Sequence, residues 1–165
     1  MAFILSEQRD QDCEAAFLNY QSYLSENRHR LPSRAKSLID SDWYFTFTRQ
    51  SPHDAWLKEV TVSEIDDDAE IAPRFVTITI RLLGSYHDGE IIIRYPRIYS
   101  YSLAVSDAST GHGDWRYDEF RISERGRLIH EIEWWGKEAR NWIIEADDVE
   151  YSWCPYSSEG GASGV

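Results

Sequence analysis

The chain has 165 residues, with 42% hydrophobic and 14% aromatic side chains, enough apolar material for one core without disulfide or metal staples. Its 29 acidic and 17 basic side chains give a formal charge of −12, which excludes the Lys/Arg-driven counterion release of nucleic-acid binding and attraction to anionic lipid. The favoured partner on charge alone is a basic protein.

From Glu7 to about Asn27, Cys13, Ala16, Phe17, Tyr20, Tyr23 and Leu24 recur at helical spacing. They predict one amphipathic helix with Ser6 as its N-cap. A short second helix is expected from Pro32, carrying Ala35, Leu38 and Ile39 and ending near Asp40. After Asp42 the period changes to alternation. Strands are predicted at Trp43–Thr48, Ala55–Ser63, Phe75–Leu83, Glu90–Tyr95, Arg97–Val105, Tyr117–Ser123, Leu128–Trp135, Asn141–Ala146 and Val149–Trp153. Phe75–Leu83 alternates most cleanly, with Val76, Ile78, Ile80 and Leu82 on one face.

Between these segments lie the acidic stretch Glu64–Glu70 with Pro73, the turn Gly84–Gly89, the interrupting Pro96 and the polar loop Ser106–Asp114. Gly126 and Gly136 supply turn positions that need a positive φ. The expected fold is α+β: an N-terminal amphipathic helix and a short second helix packed on a mostly antiparallel, strongly curved sheet of about seven to eight strands. Residues 1–156 read as one domain and 157–165, rich in Gly and Ser, as a disordered tail.

Cys13 and Cys154 make no disulfide framework or metal cluster, so a cytoplasmic setting is expected. Met1–Leu5 is too short an apolar stretch for a signal peptide, and runs such as Ile91–Ile93 fall far below a membrane span.

Two short matches stand out: Ser51-Pro52-His53-Asp54-Ala55 and Ser85-Tyr86-His87-Asp88-Gly89, each in a turn before a strand. Histidine and aspartate suit a metal site, so His53, Asp54, His87 and Asp88 form a candidate ligand set. Against that, adjacent strand residues point to opposite faces, and turn chemistry accounts for Asp-Gly directly. His130 shares a strand face with Leu128, Ile132 and Trp134, and is expected to be half-buried with one hydrogen bond. It lacks the second histidine of a helical zinc motif. Asp66-Asp67-Asp68 lacks calcium-loop spacing. No nucleophile elbow or phosphate-cradling loop occurs, so no catalytic residue is assigned and no cofactor is expected. Trp115, Tyr117, Trp134 and Trp135 are candidates for a partner-binding aromatic patch.

The reading His53-Asp54-x-x-Leu57 within Ser51–Val62, together with Gly126-Arg-Leu-Ile-His-Glu-Ile132, resembles small bacterial β-rich domains. Some of these are grouped with immunity proteins of polymorphic toxin systems. The resemblance implies a binding role and carries no catalytic residue over. The expected function is a non-enzymatic cytoplasmic binding protein, in its narrower form an immunity-type protein for a basic partner. A metal-dependent hydrolase using the two His-Asp steps and a small-ligand carrier are the alternatives. Self-association is expected if a strand edge is left unpaired.

Overall fold

Three helices, α1 (Glu7–Gln11), α2 (Cys13–Asn27) and α3 (Ser33–Ile39), precede the strands in the computed structural model, which describes residues 2–65, 74–104, 111–135 and 141–157. The strands are β1 (Trp56–Ile65), β2 (Phe75–Leu83), β3 (Gly89–Leu103), β4 (Trp115–Ile122), β5 (Leu128–Trp134), β6 (Asn141–Ala146) and β7 (Glu150–Pro155). The Asp66–Asp68 triplet, Pro73, most of the loop before Asp114, Gly136 and the tail after Ser157 lie outside the described residues.

All ladders are antiparallel, in the order β1-β2-β3-β6-β5-β4, and β7 pairs with β3 off this path. The class is therefore α+β with one seven-stranded antiparallel sheet among the described residues. It is not strongly curled, contrary to expectation. Its two outer strands meet at one bridge, Trp56 to Asp114, flanked by the Asp54 amide donating to the Trp115 carbonyl at 2.8 Å and the Trp115 amide to the Ala55 carbonyl at 2.9 Å. Closure stops there.

The fifteen residues of β3 were expected as two strands broken at Pro96, and they form one. On one side β3 pairs with β7 through Gly89–Arg94 and with β6 through Ile98–Leu103. Toward β2 the register shifts between Val76 and Ile78, opposite Ile98 and Tyr95. Pro96 falls in both gaps, where no ladder N–H is required of it. Gly89 opens the strand because a Cβ there would stand 2.5 Å from the Trp153 ring and 2.7 Å from the Cys154 carbonyl oxygen.

Two further expectations fail for local reasons. Trp43–Thr48 forms turns: the Thr46 amide and hydroxyl both donate to the Trp43 carbonyl, at 3.2 and 2.7 Å, and the Ser51 hydroxyl donates to the Tyr44 carbonyl at 3.0 Å. Local side-chain bonds of this kind compete with a ladder. The N-terminal helix breaks at Asp12, which is extended (φ −150°, ψ 92°) and accepts the Ala15 amide at 3.0 Å as the N-cap of α2. Ser6 instead donates its hydroxyl to the Phe3 carbonyl. Of the expected apolar stripe, Ala16 and Tyr20 are buried, Phe17, Tyr23 and Leu24 half-buried, and Cys13 is exposed.

The core follows the alternation. Ile78, Ile80 and Leu82 of β2 meet Ile91, Ile93 and Tyr95 of β3, all fully buried. The edges at the two ends of the β1-to-β4 path differ. At β4 the Tyr20 hydroxyl accepts the Phe120 amide (2.5 Å) and donates to the Phe120 carbonyl (3.2 Å), while the Tyr23 hydroxyl accepts the Ile122 amide (2.8 Å). Tyrosines of α2 thus seal that edge. At β1, past the bridge at Trp56, no described strand pairs beyond β2, and Thr61 to Glu64 are exposed.

Candidate functional site

The Arg125-Gly126 turn, with Gly126 at φ 76°, sets the β4–β5 register so that Phe120 faces His130 and Asp118 faces Ile132. That register buries a polar network. His130 is 0% exposed, not half-buried, and makes two hydrogen bonds where one was expected. Its Nε2 lies 3.0 Å from Asp118 Oδ2 and its Nδ1 2.6 Å from the Tyr95 hydroxyl, with the Phe120 ring stacked at 4.1 Å. A carboxylate has no proton to give, so Nε2 donates to Asp118 and Nδ1 accepts from Tyr95.

Asp118 also accepts from the Tyr44 hydroxyl at 2.9 Å and the Trp115 indole N–H at 3.0 Å. Burial pushes Tyr44 and Tyr95 well above the usual phenol range, with the Asp118 charge adding to it, so both stay protonated donors. Every group in the network has a partner, and the imidazole is fully buried. A buried polar network satisfied in this way rigidifies the core.

The opposite face of β4 and β5 carries carboxylates under the N-terminal segment. Glu119 Oε2 accepts the Phe3 and Ile4 amides, each at 2.9 Å, and Oε1 lies 2.8 Å from Arg121 Nε without the alignment of a hydrogen bond. Burial raises the Glu119 carboxyl above its ordinary value against those donors and Arg121. Glu133 pairs with Arg9 at 3.0 Å and Arg116 at 3.2 Å, and Glu131 with Arg121 and the Asn141 amide. These acids hold the N-terminal segment and each other's arginines in place.

Beside this face, where α2, the 44–53 turns and the start of β4 meet, lies a cleft of about 200 Å³. Phe17, Phe45, Phe47, Pro52, His53 and Tyr117 wall it, and Tyr44, Trp115 and Asp118 lie beneath. Phe45 and Phe47 are 42% and 74% exposed. His53 meets the Phe47 ring edge-on at 4.5 Å and Tyr117 at 5.7 Å. The Arg9 guanidinium lies 4.7 Å from the Tyr117 ring, and that of Arg116 spans Tyr117 and Trp135.

The expected metal set does not converge. His53 Nδ1 is 3.1 Å from Asp54 Oδ1 at the cleft, whereas the His87 ring lies against Trp56 at 4.5 Å and Asp88 pairs with Arg49. Among the described residues no three His, Cys, Asp or Glu side chains group to hold a metal. Both steps are turns, with Asp54 at φ 62° and His87 at φ 58°, the left-handed region that Asp and His tolerate better than most residues. Of the four aromatic candidates, Trp115 and Trp134 lie in the core, Tyr117 is half-buried in the cleft wall and Trp135 is 57% exposed.

Asp118, Tyr95, Tyr44, Phe45 and Phe47 were not singled out from the sequence. The β4–β5 turn position was a usable signal for Asp118, because counting outward from it places Asp118 on the same face as His130, one pair along. Nothing local marked Tyr95. No protein-family model, curated protein or solved structure matches this chain.

Proposed function

We propose that this chain is a non-enzymatic, cytoplasmic binding protein that receives a strand of a basic protein partner along the outer edge of β1, in its narrower form an immunity-type protein for a basic toxin. The carrying observation is the contrast between edges: β4 is closed by tyrosine hydroxyls, and ten-residue β1 has, past the single bridge at Trp56, no described strand on its outer side. An open edge offers a row of amides and carbonyls to an incoming strand. The charge of −12 draws a basic partner and repels a second copy.

Support for a non-catalytic role comes from the interior, where the best-organised imidazole is sealed on both nitrogens. The test is recovery of partners from the native cell at low salt, followed by amide hydrogen exchange on the complex. The expected result is a basic protein that is lost at high salt and that slows exchange in Trp56–Ile65 but not in Trp115–Ile122. Recovery of no protein at low salt, or protection confined to another surface, would sink this reading.

A further inference from the structure

We infer that the rim cleft is a binding site for a neutral planar ring, of one or two fused cycles, that carries an N–H or O–H donor. Size sets the first limit. About 200 Å³ is less than the roughly 300–1,000 Å³ of sites that enclose drug-sized ligands and more than the roughly 150 Å³ that accepts benzene. The walls set the second. Phe45 and Phe47 are held out toward solvent by turns that the Thr46 and Ser51 hydroxyls fix, and their uncovered rings suit an aromatic guest.

Polarity sets the third limit. Asp118 is occupied by Tyr44, Trp115 and His130, and Arg9 and Arg116 both pair with Glu133, so the charged groups that line or flank the cleft are already matched; the exposed Asp54 carboxylate is not part of the lining. His53 is different. Asp54 Oδ1 stands 3.1 Å from its Nδ1 without the alignment of a hydrogen bond. The nearby carboxylate charge still favours the proton on Nδ1, which leaves Nε2 an acceptor with no partner among the described residues. An acceptor in an aromatic wall selects a donor. The inference is independent of β1.

The test uses the purified full chain, with indole and N-methylindole as probes and the histidine imidazole signals read by NMR. Indole is expected to shift His53 and to bind roughly three- to tenfold more tightly than N-methylindole, the usual worth of one hydrogen bond. In His53→Ala that difference disappears, while Phe47→Ala weakens both probes alike. Equal affinity of the two probes for the unmodified protein, or no shift at His53, would overturn the inference whatever the variants do. N-acetyltryptophanamide separates the sources: tighter binding than indole assigns the site to a partner's side chain, and weaker binding to a free small molecule.

Discussion

Among the described residues, two imidazole–carboxylate pairs have similar spacing and opposite consequence. Asp118 and His130 lie 3.0 Å apart in the core, Asp54 and His53 3.1 Å apart at the cleft. Inside, Tyr95 takes the second ring nitrogen and Phe120 covers the ring, so the pair has nothing left to offer a ligand. At the cleft Nδ1 contacts the carboxylate without the alignment of a hydrogen bond, no described residue pairs with Nε2, and the carboxylate is largely in water. Burial decides between the two outcomes: a satisfied buried network contributes to a unique core, and the same groups half-exposed contribute little stability and can bind.

The largest way to break this contrast is Asp118→Ala, which orphans the Tyr44 hydroxyl, the Trp115 indole N–H and His130 Nε2 together. It is expected to cost about 3–5 kcal/mol in urea unfolding. Tyr95→Phe removes only the partner of His130 Nδ1 and should cost about 1–3 kcal/mol by the same measurement. His53→Ala should fall within about 0.5 kcal/mol of the unmodified protein. A larger loss there would make the cleft pair structural too.

The smallest effect lies at the surface, where Glu90 meets Lys58, Arg81 and Tyr156. The lysine and arginine hold its carboxyl down at about 2, against 4.5 for the ordinary group. A folded value below the unfolded one means the stabilisation is present above pH 4.5 and is lost as pH falls toward 2. Glu90→Gln should therefore flatten the acid limb of the stability profile in that window alone, read from unfolding midpoints. An unchanged limb would mean that solvent screens the cluster completely.

Much of the fold was legible because bulky side chains must alternate to bury one sheet face. Phe75–Leu83 and Asn141–Ala146 were expected with the bounds of β2 and β6, and Ile78, Ile80 and Leu82 with their inward face. The site was legible only in fragments. His53 and Asp54 drew notice as a possible half of a metal set, and their neighbours are rings from turns that read as a strand. His130 was seen, but its partners come from two other strands, 12 and 35 residues away.

Residue order by itself determined the class of fold, the turns at Gly84–Gly89 and Gly126 and the inward faces, because periodicity and turn chemistry act over a few residues. Tertiary structure alone decided that Pro96 sits between two partner strands, that Asp12 restarts a helix, and which imidazole is sealed and which stays open. Those outcomes depend on what distant segments bring to each group, and burial is a property of the assembled layers rather than of any local stretch.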